Sequence, residues 1–273
     1  MYPIVLSHGM SGWGDDATGL TKVIQYWSAA DYLRSQGALV YSPTKTAFTS
    51  TEARAQELKG KVNTFMAANG ASKIHIIGHS QGGLDPRYMI TNLGMASKVA
   101  TFTSLNTPHR GSPIADLVKT IVPSWALPYV GAGLNAVFST LLYGGMRQNA
   151  IAGLNSLTVA GTAAFNTATP NSSTVKYYSY GSTITVPDLI QHPAMGILYP
   201  ICGVGGALNG QGLANDGLVP LSSQKWGTWK GGPSYSFWVT GIDHIEAVNN
   251  TLGSWYDINA YFLKIAQNAK ASL

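Results

Sequence analysis

Lys73-Ile74-His75-Ile76-Ile77 followed by Gly78-His79-Ser80-Gln81-Gly82 decides the reading of this chain. The first five residues form an apolar run of strand length, and a helix-like segment follows from Gly82 to about Met95. A G-x-S-x-G pentapeptide between a strand and a helix has the context of a nucleophile elbow. A serine hydroxyl reacts poorly unless a base takes its proton and the chain holds it clear of its neighbours. A sharp strand-to-helix turn does the second job, and glycine at 78 and 82 removes side chains that would clash there. In a chain with 31 Gly the five letters recur by chance, so it is the flanking strand and helix that make Ser80 the candidate nucleophile.

Outward from the elbow, strand-length apolar runs occur at Pro3–Ser7, Ala38–Ser42 and Val99–Leu105. Helix-like stretches lie at about Leu20 to Gln36 and Thr51 to Asn69, closed by Gly37 and Gly70. Pro86 falls inside the helix behind the elbow, where a kink is expected. Strand alternating with helix predicts an α/β fold, a mostly parallel sheet covered on both faces. Later strands are expected at Val175–Gly181 and Tyr235–Gly241. A last helix near Asp257 to Lys270 carries Ile258, Tyr261, Phe262, Ile265 and Ala269 on one stripe.

With no internal repeat and no linker rich in Pro, Gly or Ser, the 273 residues read as one domain. Only 11% of residues are charged, so the surface must be rich in Ser, Thr, Asn and Gly. The formal charge of +5 comes without a Lys/Arg run, which argues against nucleic acid as a partner. The single Cys202 excludes an internal disulfide and a cysteine-based zinc site. Met1-Tyr2-Pro3 leads straight into a core strand, as in a mature form with an added Met or a protein exported without a cleaved leader.

Thr120 to Met146 has no charged residue and is long enough to cross a bilayer. Pro123, Pro128 and several Gly interrupt it, which suits a membrane helix poorly. A buried core helix and an amphipathic cap over the carboxyl ends of the strands remain, and the cap is preferred.

Six histidines compete for the role of base. His75 lies inside a strand, His79 is too close to Ser80 along the chain to turn back on it, and His8 ends the first strand, where backbone donors are wanted. His192 has no supporting context. His109, in Thr107-Pro108-His109-Arg110-Gly111, ends a strand and rivals His244. His244 follows the last expected strand and precedes the last helix, on the loop edge that carries catalysis in such folds. Asp216, in Asn215-Asp216-Gly217, is the candidate carboxylate that would orient the imidazole, and the order Ser, Asp, His is that of an α/β-hydrolase. Its alternative is a simple turn former beside Gly217. Asp243 ranks lower because it adjoins the histidine.

Together, Tyr2 to Met10, Gly78 to Gly83, Arg87-Tyr88, Thr107 to Ser112, Leu154 to Thr158, Tyr177-Tyr178-Ser179, Asn215 to Val219 and His244 to Asn249 resemble the bacterial true lipases of the Pseudomonas, Burkholderia and Proteus group. Having no disulfide places the chain nearest the Proteus-like branch. The resemblance implies an α/β-hydrolase fold, with a helical lid inserted at about 112–165. It implies triacylglycerol hydrolysis at a lipid–water interface by a secreted, monomeric enzyme. A short-chain carboxylesterase or polyester depolymerase would use the same residues, and a non-catalytic binding protein on a hydrolase fold would not need all three. It further implies an oxyanion hole from the backbone N–H groups of Met10 and Gln81. A structural calcium ion would be held by Asp188, Glu246 and the carbonyls of Asn250 and Ser254, an oxygen-rich shell of the kind calcium takes.

Overall fold

The computed structural model describes residues 2–18, 26–123, 126, 129, 131–133, 147–186, 192–233, 241–249 and 256–272. Six strands form one sheet: β1 (Ile4–Ser7), β2 (Val40–Tyr41), β3 (Ile74–His79), β4 (Val99–Leu105), β5 (Lys176–Tyr180) and β6 (Thr228–Trp229). Their order is β2-β1-β3-β4-β5-β6, and every neighbouring pair is parallel. The strands β1, β3 and β4 are buried along their whole length, as a parallel sheet covered on both faces requires.

Each face has its own core. On one, Ile4 and Leu6 of β1 and Ile77 of β3 pack with Leu33 of α1 (Ala30–Ser35) and Phe262 and Ile265 of α9 (Ile258–Ala271). On the other, Val5, Ile74, Ile76 and Phe102 meet Leu58, Val62 and Met66 of α2 (Thr51–Ala68) and Met89 and Ile90 of α3 (Leu84–Asn92). Adjacent residues Ile4, Val5 and Leu6 thus serve opposite cores, the period of two expected of a strand. Helix α9 buries Ile258, Tyr261, Phe262, Ile265 and Ala269, the stripe read from sequence, and is capped by Asp257, which accepts from the Ala260 N–H at 2.9 Å.

The remaining helices are α4 (Pro113–Ile121), α5 (Ala150–Leu157), α6 (Val159–Ala168), α7 (Pro193–Leu208) and α8 (Leu221–Gln224). Gly37 and Gly70 follow α1 and α2 with φ of 80° and 61°, the left-handed helix stops expected there.

Three expectations need correction. The first helix is shorter than Leu20 to Gln36: among the described residues of that span it covers only Ala30–Ser35. The helix behind the elbow does not start at Gly82; Ser80–Gly83 form a tight 3-10 turn before α3 begins at Leu84. Pro86 is therefore in the first turn of α3, where its missing N–H would have had no partner within the helix, and no kink is required. Most of the strand expected at Tyr235–Gly241 lies outside the described residues; Gly241 itself forms an isolated antiparallel bridge with Ile184. The two-residue β6 at Thr228–Trp229 was not legible as a strand. The charge-free stretch 120–146 is described only in part. No helix among the described residues is long and apolar enough to cross a membrane.

Candidate active site

The chain adds β2 on one side of β1 and β3 on the other, so a crevice opens between the carboxyl ends of β1 and β3. Ser80 follows β3 there, with a φ of 56° that a residue other than glycine adopts only under constraint. The constraint is steric. A Cβ on Gly78 would lie 2.3 Å from the Gly82 carbonyl oxygen, and one on Gly82 would lie 2.1 Å from that of Ser7. The elbow closes only because both positions are glycine.

His244 lies in the turn after Gly241, and its Nε2 is 2.8 Å from the Ser80 Oγ. Its Nδ1 is 2.7 Å from Asp216 Oδ2. A carboxylate can only accept, so Nδ1 carries the proton and Nε2 presents a lone pair to the serine. Asp216 is fully buried, yet every lone-pair direction is used: Oδ2 also accepts from Asn106 Nδ2 at 2.8 Å, and Oδ1 accepts from the N–H groups of Leu218 and Val219 at 3.0 and 2.7 Å. Asp216 thus closes its own turn through Oδ1 and meets the imidazole through Oδ2. The His244 N–H returns to the Asp216 carbonyl at 2.9 Å, tying the two loops together.

The other histidines stand apart from the nucleophile's proton. His109 is fully buried, stacks on Trp226 with ring centroids 5.1 Å apart, and hydrogen-bonds Ser104 Oγ through Nε2 at 2.8 Å. Burial, reinforced by Arg87 and Arg110, pushes its pKa well below the ordinary value. His75 is a core histidine paired with Thr101 Oγ1 at 2.8 Å. His79 has a structural task. Its Nε2–H donates to the His244 carbonyl at 2.9 Å, so its Nδ1 accepts from the Tyr26 hydroxyl at 2.8 Å, which in turn accepts from the Gly9 N–H at 3.2 Å. Burial and the nearby His244 keep this imidazole neutral. A single hydrogen-bonded path thus joins the loop after β1 to the loop that carries His244.

Sequence reasoning missed Tyr26 and Asn106. Asn106 had a signal: it directly follows the β4 run, at the carboxyl edge of a parallel sheet, and the structure gives it a positive φ of 50°. Nothing in the sequence around Tyr26 pointed to the site.

Ser80 and His244 open into a cavity of about 470 Å³ whose walls are mostly apolar, among them Trp13, Phe48, Leu154, Leu157 and Met195. Ile114, Ala115 and Val118 of α4 complete it, opposite Leu154 and Leu157 of α5 in the lining. Met10 also lines this cavity, whereas Gln81 is fully buried behind Ser80 with its side-chain amide donating to the Thr49 carbonyl at 3.0 Å.

Of the four residues implied as calcium ligands, Asp188, Asn250 and Ser254 lie outside the described residues. Glu246 is buried beside His192 and Asp243, and the donor atoms of these three lie within 4.8 Å of one another, a group that could hold a metal ion. Asp243 receives the N–H groups of Ile245 and Glu246 on Oδ1 and meets His192 Nδ1 at 2.5 Å through Oδ2. The ring nitrogen of His192 does not suit a calcium shell and already has Asp243 as its partner; the oxygens of Glu246 do suit one.

Residues 3–158 match the palmitoyl protein thioesterase family. A triacylglycerol lipase from Vibrio cholerae is 32% identical over 247 residues, covering 83% of this chain and 74% of that protein. A triacylglycerol lipase from Pseudarthrobacter phenanthrenivorans is 37% identical over 179 residues, 62% of this chain and 54% of the relative, so the chain spans about half that protein's length. Among solved structures, the Staphylococcus hyicus lipase superposes with a TM-score of 0.71 at 19% identity, covering 99% of this chain and 96% of that one. That likeness is one of fold, and the fold is that of the α/β-hydrolases. The chain belongs to the palmitoyl protein thioesterase family and, within the α/β-hydrolases, to the group that contains these bacterial triacylglycerol lipases.

Proposed function

We propose that the protein is a triacylglycerol lipase, a serine hydrolase that cleaves carboxylic esters through an acyl-enzyme. The observation that carries the reading is the unbroken path Ser80 Oγ, His244 Nε2, His244 Nδ1, Asp216 Oδ2 at the floor of an apolar cavity. In this mechanism His244 takes the Ser80 proton as Oγ attacks the ester carbonyl, and Asp216 stabilises the imidazolium. The N–H groups of Met10 and Gln81 receive the oxyanion. His244 then gives the proton to the departing alcohol, and a water activated by His244 releases the fatty acid.

The apolar cavity wall supports an acyl chain rather than a polar leaving group as the part recognised. The single-domain reading keeps α4 to α6 as part of a lid over about 112–165, whose opening would expose apolar surface to a lipid–water interface. Exposed Ile121 and Tyr129 within that span support this. A calcium ion at Glu246, with Asp188 and the carbonyls of Asn250 and Ser254, would brace the His244 loop and take no part in the chemistry. Elemental analysis of the purified protein tests it. A secreted monomer nearest the disulfide-free, Proteus-like branch completes the reading; the lone Cys202 is buried and unpaired with another cysteine.

The family match to palmitoyl thioesterases favours one further substrate: the same attack would open a palmitoyl thioester. Labelling with a fluorophosphonate followed by peptide mapping, with a series of p-nitrophenyl esters, emulsified triglycerides and a palmitoyl thioester, separates these readings. Modification at Ser80, its loss in Ser80→Ala, and preference for long-chain oxygen esters are expected. Preference for dissolved short-chain esters would give the carboxylesterase reading instead, and no labelling would remove the enzyme reading.

A further inference from the structure

Arg54 is among the largest fully buried side chains of the described residues and points from α2 toward the loop after β1. A buried guanidinium is costly unless every donor is met, and here each of its five N–H groups has an acceptor. Nε donates to Asp85 Oδ2 at 2.9 Å. Nη1 donates to the carbonyls of Thr46 and Ala47 at 2.5 and 3.3 Å. Nη2 donates to the carbonyls of His8 and Gly9, the latter at 3.2 Å. Lys45 shares the work, its Nζ meeting Asp85 Oδ2 at 3.1 Å and the His8 carbonyl at 3.0 Å.

The Gly9 carbonyl belongs to the peptide whose N–H is that of Met10. That peptide is trans and planar, so its C=O and N–H point in opposite directions, and holding one aims the other. The Gly9 oxygen accepts from three donors: Arg54 Nη2, the Gly12 N–H of the same turn at 3.2 Å, and the His8 ring. The His8 Nε2 accepts the Lys45 N–H at 2.7 Å, so its Nδ1 carries the proton and donates to the Gly9 oxygen at 2.8 Å. The turn amide is local to the loop, whereas the Arg54 and His8 side chains tie the Gly9 oxygen to α2 and to the Lys45 backbone. The loop also passes directly over the nucleophile, for a Cβ on Gly9 would lie 2.7 Å from that of Ser80.

We propose that Arg54 is a positioning residue for the oxyanion hole: clamped by Asp85, its guanidinium grips the His8 and Gly9 carbonyls and thereby aims the Met10 N–H at the oxyanion formed on Ser80. This rests on the serine hydrolase reading above. It explains why a charged fork is retained where an apolar side chain would be cheaper to bury. A lysine would keep the charge and lose the planar set of donors.

The test compares wild type with Arg54→Lys and Arg54→Gln, using a dissolved p-nitrophenyl butyrate and an alkyl trifluoromethyl ketone, which forms an oxyanion on the serine, below the melting temperature of each. A misaimed donor should lower kcat about a hundredfold in Arg54→Gln while KM stays within about threefold. Affinity for the ketone should fall by the same factor as kcat, with Arg54→Lys between the two. A folded variant that melts earlier but keeps kcat and ketone affinity overturns the proposal. Should Arg54→Gln fail to fold, Asp85→Asn, which unclamps Nε without removing the guanidinium, should show the same pairing of kcat with ketone affinity at smaller amplitude, and its absence there counts equally against the proposal. Fluorophosphonate labelling of wild type keeps the two failures apart. Without a label on Ser80 the hydrolase reading falls; with the label but unaltered variants, only the role of Arg54 does.

Discussion

Ser80 and His244 face one another across 2.8 Å, but the chain holds them by different means. Ser80 is held by hard contacts: a fully buried strand and a 3-10 turn next to it in sequence, and two glycines whose missing side chains let the carbonyls of Gly82 and, from neighbouring β1, Ser7 approach. His244 is held by hydrogen bonds from distant parts of the chain, namely Asp216, Asn106 behind it, and the Gly9–Tyr26–His79 path. Steric constraint fails abruptly when space is filled. A hydrogen-bonded frame weakens by degrees.

The largest expected effect tests the assignment on the hydrogen-bonded side. His244→Ala should lower kcat by about four orders of magnitude or more while leaving the melting temperature nearly unchanged, because a triad acts as a unit. His109→Ala should do the reverse: most of kcat is kept, and stability falls as Ser104 and the face of Trp226 lose their partner. A His109→Ala variant as inactive as His244→Ala would reopen the choice of base. Steady-state kinetics on a dissolved ester with thermal melts of both variants decides it.

The same contrast explains what was legible. The elbow could be read because its geometry is local: strand, glycine, serine, glycine and helix lie in order along the chain. The stripe of α9 was legible for the same reason, a regular period within fourteen residues. His244 and Asp216, which meet at 2.7 Å, were singled out by their places relative to expected elements, although the strand expected before His244 lies largely outside the described residues. Tyr26, Asn106 and Arg54 were not found, because their partners are met only in the folded chain: Tyr26 and Arg54 where β1, β3 and α2 come together, Asn106 where the end of β4 meets the Asp216 loop. His192 lacked context in the sequence, and its context is Asp243, fifty-one positions away. Pro86 misled because the 3-10 turn shifts the helix start by two residues, turning a supposed interior proline into a first-turn one.

On the steric side, Gly82→Ala should destabilise the fold by at least about 3 kcal/mol, at the upper end of overpacking costs, since the added carbon meets the Ser7 and His8 backbone, which cannot rotate away. Gly60 is the control. It lies inside α2 with nothing within 4 Å of a Cβ, and Gly60→Ala should stabilise by about 0.5–1 kcal/mol through helix propensity. Denaturant melts of both give the comparison. Loss of less than 1 kcal/mol in Gly82→Ala, by the same scale, would mean that the elbow can relax.

A smaller effect is expected when the frame around His244 loses one link. Tyr26→Phe keeps the ring and removes the hydroxyl that accepts from Gly9 N–H and serves His79 Nδ1. Two buried groups are left without a partner, at about 1–3 kcal/mol each if nothing relaxes, though part of that falls on stability and not on the reaction. The expected reading is a drop in kcat of about tenfold with little change in KM, as the His244 carbonyl loses a well-oriented donor. Unchanged kcat would show that Asp216 and the turn hold the imidazole alone.

The last and smallest effect concerns acid. His75 sits in β3, two residues before Ile77, with its ring buried and its pKa pushed down to about 4 by that burial. The folded state therefore prefers the neutral ring, while in the unfolded chain the group titrates near 6.5. Above that value both states hold it neutral and it adds no pH dependence. As pH falls below about 6.5 the unfolded chain takes up the proton first, and stability declines until the folded pKa near 4 is passed, after which the slope from this group ends. Because His8, His79 and His109 are also held neutral by burial, the decline has several contributors, and the elbow strand supplies two of them. His75→Gln should make the melting temperature fall less steeply between pH 6.5 and pH 4 than in wild type, whatever its offset at neutral pH. Thr101 Oγ1, which now pairs with His75 Nδ1, can pair with the amide, so the packing of β3 on β4 need not change. Parallel curves for wild type and variant across that window would show that the ring is protonated in the folded state without cost, and that the buried strand is wetter than its burial indicates.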